Sequence, residues 1–263
     1  MTANVATCFL GVGSAQDSGL GHAAMVVELN SGGGKPSRLL VDCGPGVLYR
    51  FLKRYQALPD AVFITHCHID HIADLENLFF SAWLNEPRVT PQLFVPLPIL
   101  VCLHQRMAGY PGALAEGGVN FWEAFHLIPV TEQFIFSGVE FRLYPARHHA
   151  PNSAFSLHLP GGFFYSGDTR PVPEIISHKV NGGELIFHDA GIRGNPSHTG
   201  LDDLQREYSS AQRQRMHLYH YQNEDDARVF RQQGYRPLAP GSRFEFEVFG
   251  TDRQDLEMIA GLT

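Results

Sequence analysis

Four side chains that can bind a metal ion occur within six residues of this chain: His66, His68, Asp70 and His71. They follow the apolar run 61–64, which has the pattern of a strand, and they precede a segment with the apolar spacing of a helix. In open α/β sheets, ligand-binding sites lie at the carboxyl ends of the strands. A loop that follows a strand places its side chains at that end. The pattern therefore predicts a metal-binding loop at the end of a strand.

A catalytic metal centre takes nitrogen and oxygen ligands from several loops and keeps one coordination position for water. Three other predicted strands also end in His or Asp, within the segments 143–149, 165–169 and 218–220. We expect these strand ends to supply the remaining ligands.

Strand and helix patterns alternate along the chain. Strands are predicted at 5–10, 24–29, 38–41, 61–64, 93–95, 134–136, 139–144, 155–159, 162–166, 184–187, 216–219 and 244–249. Helices are predicted at 44–55, 72–83, 98–108, 201–214 and 225–233, a turn at 31–36, and a Gly/Ala-rich loop after residue 108. This order favours two packed sheets with helices on their outer faces, in one domain that spans residues 1–263.

Composition excludes several classes of protein. The net charge is −7 and the basic residues are scattered, so no broad surface for duplex nucleic acid is expected. The sequence has no apolar window long enough for a membrane span and no signal-peptide pattern, which predicts a cytoplasmic protein. Its four cysteines form no C-x-x-C pair, which is typical of reduced thiols.

The spacing of these motifs resembles the metallo-β-lactamase superfamily. The resemblance rests on H-x-H-x-D-H at 66–71, a later histidine, Ser-Gly-Asp-Thr at 166–169 and a histidine at the end of a strand. The segments Phe-Leu-Gly-Val-Gly-Ser at 9–14 and Pro-Ser-His-Thr at 196–199 narrow it to tRNase Z and related phosphodiesterases. It implies an α/β fold, a four-layer αββα sandwich with two mixed sheets flanked by helices.

The resemblance also implies seven ligands for two divalent metal ions. His66, His68 and His148 would bind one ion, Asp70, His71 and His220 would bind the other, and Asp168 would bridge them. His149 is the alternative to His148. Zinc is the first expectation for the metal, with manganese and iron as alternatives, because His and Asp ligands suit all three.

Two residues are expected to take part in catalysis. The second carboxylate oxygen of Asp70 can orient or deprotonate the attacking water. By its resemblance to the His-Ser-Thr motif of tRNase Z, His198 would contact the scissile phosphate or protonate the leaving oxygen. The alternative for His198 is a loop histidine that caps a helix beginning near Leu201. Asp42 is expected to accept a hydrogen bond from a ligand imidazole, whereas His188 and Asp189 receive only a supporting role.

The predicted activity is that of a metal-dependent hydrolase in which a hydroxide bridging two metal ions attacks a phosphodiester. Nineteen residues separate His148 from Asp168, too few for the long arm with which tRNase Z often grips tRNA. This favours a small substrate: a cyclic nucleotide, a cyclic sugar phosphate or a short RNA. A homodimer whose partner adds RNA contacts is compatible with the sequence.

Three other functions fit the same pattern. The first is hydrolysis of a lactone, thioester or other carboxyl derivative, since the same nucleophile attacks carbonyl carbon. The second is a di-iron redox protein, and the third is a non-catalytic binding protein on the same fold.

Overall fold

Apolar runs separated by turn residues form the strands of this protein. The computed structural model describes residues 2–16, 19–30, 34–108 and 118–250. The strands in these residues are β1 (Thr2–Gly11), β2 (Ala24–Asn30), β3 (Ser37–Val41), β4 (Ala61–Phe63), β5 (Gln92–Pro96), β6 (His126–Val130), β7 (Gln133–Phe136), β8 (Val139–Pro145), β9 (Phe155–Leu159), β10 (Phe163–Tyr165), β11 (Leu185–Asp189), β12 (Met216–Tyr219), β13 (Arg236–Pro237) and β14 (Arg243–Phe249).

Segments with an apolar face at helical spacing form the helices. These are α1 (Val47–Tyr55), α2 (Ile69–Ile72), α3 (Leu75–Leu84), α4 (Leu100–Leu103), α5 (Pro173–Lys179), α6 (Leu201–Glu207), α7 (Ser210–Arg213) and α8 (Glu224–Gln232). Tighter and wider helical turns flank α4, so the chain is helical from residue 97 to residue 108. No helix in the described ranges is both long and apolar enough to cross a membrane.

The strands form two mixed sheets of seven strands each. The first has the order β14-β1-β2-β3-β4-β5-β6 and the second β13-β12-β11-β10-β9-β8-β7. In the first sheet, β3 to β6 run parallel and the other pairs antiparallel. In the second, β7 to β10 form an antiparallel meander and β10 to β13 run parallel. Helices flank the two sheets, so the predicted αββα sandwich is confirmed.

Aromatic side chains from both sheets fill the space between them. Phe9 of β1 meets Phe187 of β11 edge to face, with ring centroids 4.9 Å apart. Phe94 of β5 stacks on Phe134 of β7 at 4.2 Å. All four rings are buried, and each aromatic side chain buries about 150–250 Å². This packing fixes the two sheets against each other and brings strand ends from both sheets to one edge.

Two strands and one helix are absent from the sequence prediction. β6 was missed because it contains Pro129, which usually argues against a strand. It lies at the edge of the first sheet, where the missing N–H of proline costs little. The two-residue edge strand β13 and the seven-residue helix α5 were also too short to predict.

The helix predicted at 201–214 is wrong as a single element. It breaks into α6 and α7, because Ser209 accepts a hydrogen bond from the backbone N–H of Gln212 and so begins a new helix. The predicted turn at 31–36 falls partly on residues 31–33, and the Gly/Ala-rich loop on 109–117, both outside the described residues.

Candidate metal centre

The predicted site residues lie together at the carboxyl ends of the strands. The loop after β4 and the short helix α2 carry His66, His68, Asp70 and His71. The loops after β8, β10 and β12 carry His148, Asp168 and His220. Backbone pairing holds these loops in place: Phe155 donates an N–H to Thr65, and His220 donates one to Val12. The geometry therefore joins one local motif from the first sheet to three strand ends of the second.

The ligand atoms of His66, His68 and His148 converge on one point, all within 4.8 Å of one another. His148 Nε2 lies 3.2 Å from His68 Nδ1. His149, the alternative to His148, is exposed and does not belong to this group. Its ring instead lies beside those of His68 and His148, with centroids 4.6 and 4.2 Å away.

A second group contains Asp70, His71, Asp168 and His220, also within 4.8 Å of one another. Asp168 Oδ2 lies 3.3 Å from His71 Nε2 and 3.1 Å from His220 Nε2. The same oxygen lies 3.7 Å from His66 Nε2 in the first group. Asp168 is therefore placed between the two groups.

In three of these histidines the outer ring nitrogen donates to an acceptor, so the other ring nitrogen faces the site. His71 Nδ1 donates to Asp42 Oδ2 at 2.8 Å, the contact that the sequence predicted for Asp42. His148 Nδ1 donates to the Ser197 carbonyl at 2.9 Å. His66 Nδ1 donates to Thr65 Oγ1 at 3.0 Å, because that hydroxyl already donates to Asp42.

Burial keeps the first group neutral. It is the main reason why the pKa of His66 falls well below its usual value and why the pKa of His148 is lowered. Burial and the neighbouring imidazole of His148 lower the pKa of His68 to about 4. Neutral imidazoles are the form that binds a metal ion.

The second group behaves differently because it contains carboxylates. Burial alone would lower the pKa of His220, but Asp168, Asp189 and Asp70 together outweigh it and raise the pKa to about 10. The pKa of His71 is raised for the same reason by Asp168 and Asp42. Burial would raise the pKa of Asp168, but these histidines hold it well below its usual value. In the protein alone, protons on the histidines balance the carboxylates, and a divalent cation would take the place of those protons.

Unpaired buried atoms show that the residues fit a metal ion. Among the described residues, His66 Nε2, His71 Nε2, His220 Nε2 and Asp168 Oδ1 are buried and have no hydrogen-bond partner. A buried polar atom without a partner costs about 1–3 kcal/mol, so four of them in one site require compensation. Nitrogen and oxygen donors at this spacing suit zinc, manganese or iron.

His198 lies at the rim of the site and is bound to Asp189. His198 Nδ1 is 2.9 Å from Asp189 Oδ2, and its ring stacks on that of His220 at 4.9 Å. Although burial lowers the pKa of His198, its hydrogen bond to Asp189 and the charge of Asp189 raise it overall. The alternative role as a helix cap is wrong, since Gly200 occupies the N-cap position of α6.

Asp189 has more contacts at the site than its supporting role in the sequence prediction implied. Its Oδ2 also accepts the Thr169 N–H at 2.8 Å, and its Oδ1 lies 3.4 Å from His220 Nδ1. It therefore connects the rim histidine to the second group. One sequence signal could have identified Asp189 as a site residue. It ends β11, which pairs with β10, and β10 ends shortly before Asp168.

Comparisons with known proteins agree with this architecture. Residues 5–240 match the family described as Anti-Pycsar protein Apyc1. The chain is 30% identical over 217 residues to the Anti-Pycsar protein Apyc1 of Paenibacillus harenae, which covers 79% of this chain and 88% of that protein.

More distant relatives include nucleases and phosphodiesterases. The chain is 27% identical over 178 residues to the cGMP-dependent 3′,5′-cGMP phosphodiesterase A of Dictyostelium discoideum, covering 61% of this chain but only 19% of that protein. It is 28% identical over 163 residues to the ribonuclease Z of Mycobacterium marinum, covering 56% and 58%. The predicted resemblance to the tRNase Z and phosphodiesterase branch is confirmed.

A solved structure shows the same fold. The metallo-β-lactamase fold protein YhfI of Bacillus subtilis superposes with a TM-score of 0.72 at 16% identity, covering 92% of this chain and 99% of that one. The predicted class of metal-dependent hydrolase is confirmed as well. By its sequence, this chain belongs to the Anti-Pycsar protein Apyc1 family and has the metallo-β-lactamase fold.

Proposed function

We propose that this protein is a dinuclear-metal phosphodiesterase and that its substrate is a small phosphodiester, first of all a nucleoside 3′,5′-cyclic monophosphate. The position of Asp168 carries the proposal, because one of its oxygens lies within 3.7 Å of both ligand groups. The Dictyostelium relative, a cGMP phosphodiesterase by name, supports the substrate class.

In this proposal His66, His68 and His148 would hold one divalent ion, Asp70, His71 and His220 would hold the other, and Asp168 would contribute to both sites. When bound, the ions would neutralise the phosphate charge and make water nucleophilic at neutral pH. Zinc is the first candidate, with manganese or iron as alternatives.

The residues around the ions then have distinct roles. Asp70 orients the attacking water and accepts its proton, since its carboxylate borders the site and is 11% exposed. His198 gives its proton to the ester oxygen that leaves phosphorus. Asp189 keeps His198 oriented and protonated through the 2.9 Å contact with its Nδ1.

The fold also favours a small substrate. Between His148 and Asp168 the chain forms only β9, β10 and their turns, so no arm extends from this position. The substrate must therefore be recognised by the loops at the strand ends themselves.

Metal analysis and an activity assay test the proposal. Elemental analysis of the purified protein should find close to two metal ions per chain, and bis(p-nitrophenyl) phosphate and 3′,5′-cGMP should be hydrolysed. Asp168→Ala should abolish both activities and lower the metal content. A protein that cleaves only a thioester or a lactone would reverse the assignment, and one metal ion or none per chain would contradict the dinuclear centre.

His198→Ala tests the proton donor. It should lower kcat by about 10²- to 10⁴-fold, the usual contribution of general acid catalysis, with the metal content unchanged. Loss of metal from this variant would show that His198 is a ligand instead.

A further inference from the structure

A pair of cysteine thiols lies behind the metal-binding loop. Cys67 stands between His66 and His68 in the chain and is 6% exposed. Its sulfur contacts the helical segment that contains α4, where Sγ lies 3.7 Å from the Ile99 carbonyl. Cys102 of α4 is partly exposed, and its thiol lies within hydrogen-bond contact of the Cys67 thiol.

The helix geometry accounts for the contact between the two sulfurs. Ile99 occupies the N-cap position of α4, and Cys102 follows it by three residues, so both lie on one face of the helical segment. A helical side chain leans toward the turn that precedes its own Cα. Cys102 therefore leans back toward the carbonyl of Ile99, where the sulfur of Cys67 already lies.

The pair differs from the other two cysteines in its access to solvent. Cys8 in β1 and Cys43 after β3 are 0% exposed. Cys102 is partly exposed, and Cys67 lies directly behind it. Cysteines that respond to oxidants are accessible to solvent and have a second thiol beside them. Among the four cysteines, only this pair meets both conditions.

We propose that Cys67 and Cys102 are an oxidative modification site, at which a peroxide joins the two thiols in a disulfide that weakens metal binding by the first ligand group. This inference goes beyond the proposed function, because it does not depend on the substrate.

The reaction takes place in two steps. The Cys102 sulfur attacks one oxygen of hydrogen peroxide and the O–O bond breaks, which gives a sulfenic acid and water. The Cys67 sulfur then attacks the Cys102 sulfur, the S–O bond breaks, and the hydroxyl group leaves as water with the Cys67 proton. The two thiols lose two electrons, and the peroxide is reduced to two water molecules.

The disulfide acts on the metal centre through the backbone of Cys67. A disulfide holds its sulfur atoms about 2.05 Å apart, so the Cys67 sulfur must leave its contact with the Ile99 carbonyl. His66 and His68 are bonded directly to Cys67 and move with it, whereas His148 belongs to a loop of the other sheet. The three imidazoles of the first group then converge less well.

Peroxide treatment of the reduced, zinc-loaded protein tests the site. Zinc has no redox chemistry of its own, so the oxidised groups belong to the protein. Thiol titration in denaturant should fall from four groups per chain to two, and mass mapping should find Cys67 and Cys102 in one linked peptide pair.

Two variants of neighbouring residues on α4 separate this site from general oxidation. Cys102→Ser should form no disulfide under the same conditions. Val101→Ser changes an exposed position beside it and should form the disulfide as the wild type does. Oxidation of the wild-type thiols without the link between Cys67 and Cys102 would overturn the proposal.

Competition with a chromophoric chelator measures the effect on the metal centre. In the disulfide form, the affinity for one of the two zinc ions should fall about 10- to 100-fold, the usual loss when a ligand is no longer well oriented. Dithiothreitol should restore it, because a disulfide that distorts its surroundings is readily reduced. Peroxide-treated Cys102→Ser should keep the affinity of the reduced wild-type protein.

The failure of this inference differs from the failure of the proposed function. If the disulfide forms and both zinc affinities stay unchanged, Cys67 does not transmit the modification to the ligands and the inference is wrong. If the reduced wild-type protein binds no zinc, the metal centre and the proposed function fail, and the effect on metal binding fails with them.

Discussion

Two buried histidine–carboxylate pairs in this protein are alike in chemistry but differ in their surroundings. His71 Nδ1 lies 2.8 Å from Asp42, and His158 Nε2 lies 2.9 Å from Glu184. All four side chains are buried. The first pair lies at the carboxyl ends of the strands, and the second lies at the opposite end, beside the amino ends of β10 and β11.

The second nitrogen of each imidazole shows the difference. His71 Nε2 lies 3.3 Å from both Asp70 and Asp168. The ring of His158 instead neighbours aromatic rings, those of Tyr144 at 5.9 Å and Phe164 at 6.2 Å. A buried histidine with a carboxylate partner is therefore not a metal site by itself; other donors must converge on its free nitrogen.

The carboxylates also hold different parts of the chain. Asp42 accepts the N–H and the hydroxyl of Thr65, both at 2.8 Å, and so orients the start of the metal motif. Glu184 accepts the backbone N–H of Gly161 at 2.6 Å and that of Asn181 at 2.9 Å, and so joins two turns. We expect Asp42 to support metal binding and Glu184 to support stability.

The largest effect on stability is expected when the His158–Glu184 pair is broken. Glu184→Ala leaves His158 and two backbone N–H groups without their acceptor, which should lower the free energy of unfolding by about 3–5 kcal/mol. Urea unfolding measures this change, and elemental analysis should find the wild-type metal content. Metal loss from the folded variant would show that the two pairs are coupled.

Metal removal should lower stability at the site that contains the His71–Asp42 pair. Chelation should lower the free energy of unfolding of the wild-type protein by about 2.7 kcal/mol relative to protein in metal at 100 times its Kd. Differential scanning calorimetry with and without chelator measures the shift. The shift should be the same in Glu184→Gln, because that pair lies away from the centre. An unchanged melting temperature in the wild-type protein would argue against a metal ion at the histidine cluster.

A conservative change in Asp42 should have a smaller effect. Asp42→Asn keeps the shape and tolerates the positive φ of 63° at this position, but it removes the charge that makes His71 a strong ligand. Metal affinity should fall by about 10- to 100-fold, as measured by competition with a chromophoric chelator. Glu184→Gln is the matched control and should keep the wild-type affinity. Equal losses in both variants would contradict the distinction between the pairs.

The smallest expected effect is the pH dependence of the stability that the His158–Glu184 pair contributes. Burial would raise the pKa of Glu184, but hydrogen bonds from His158 and Gly161 outweigh it and lower the pKa. Because the folded-state pKa is lowered, this stabilisation is fully present above the unfolded value of about 4.3 and is lost as the pH falls through the folded-state value. The stability difference between wild type and Glu184→Gln should thus stay constant from about pH 7 to about pH 5 and shrink as the pH falls below about 4.3 in urea unfolding. A difference that stays constant below about pH 4 would disprove the linkage.

Local patterns in the sequence were enough to predict most elements. β9 and β12 have the predicted bounds, because in both short segments apolar residues alternate with Ser or His, as in a strand. The errors have local causes as well. Pro129 made the edge strand β6 look unlike a strand. Ser209 begins a new helix inside a segment whose apolar periodicity predicted one continuous helix.

The site was predictable where its signal is contiguous. His66 to His71 stand out as a motif, and His148, Asp168 and His220 each follow a strand pattern. Asp189 also follows a strand, but nothing local distinguishes it from an ordinary strand-end carboxylate. Only its 2.9 Å contact with His198 and 3.4 Å contact with His220 show its place in the site.

The sequence by itself determined that a metal-binding loop follows β4 and which residue types surround it, because ligand spacing and apolar periodicity are local properties. The tertiary structure decided which distant side chains meet there. It placed Asp168 between two ligand groups, chose His148 over the exposed His149 for the first group, and set His71 apart from the equally buried His158. The physical reason is that convergence depends on how two sheets pack, and packing joins residues that are far apart in the chain.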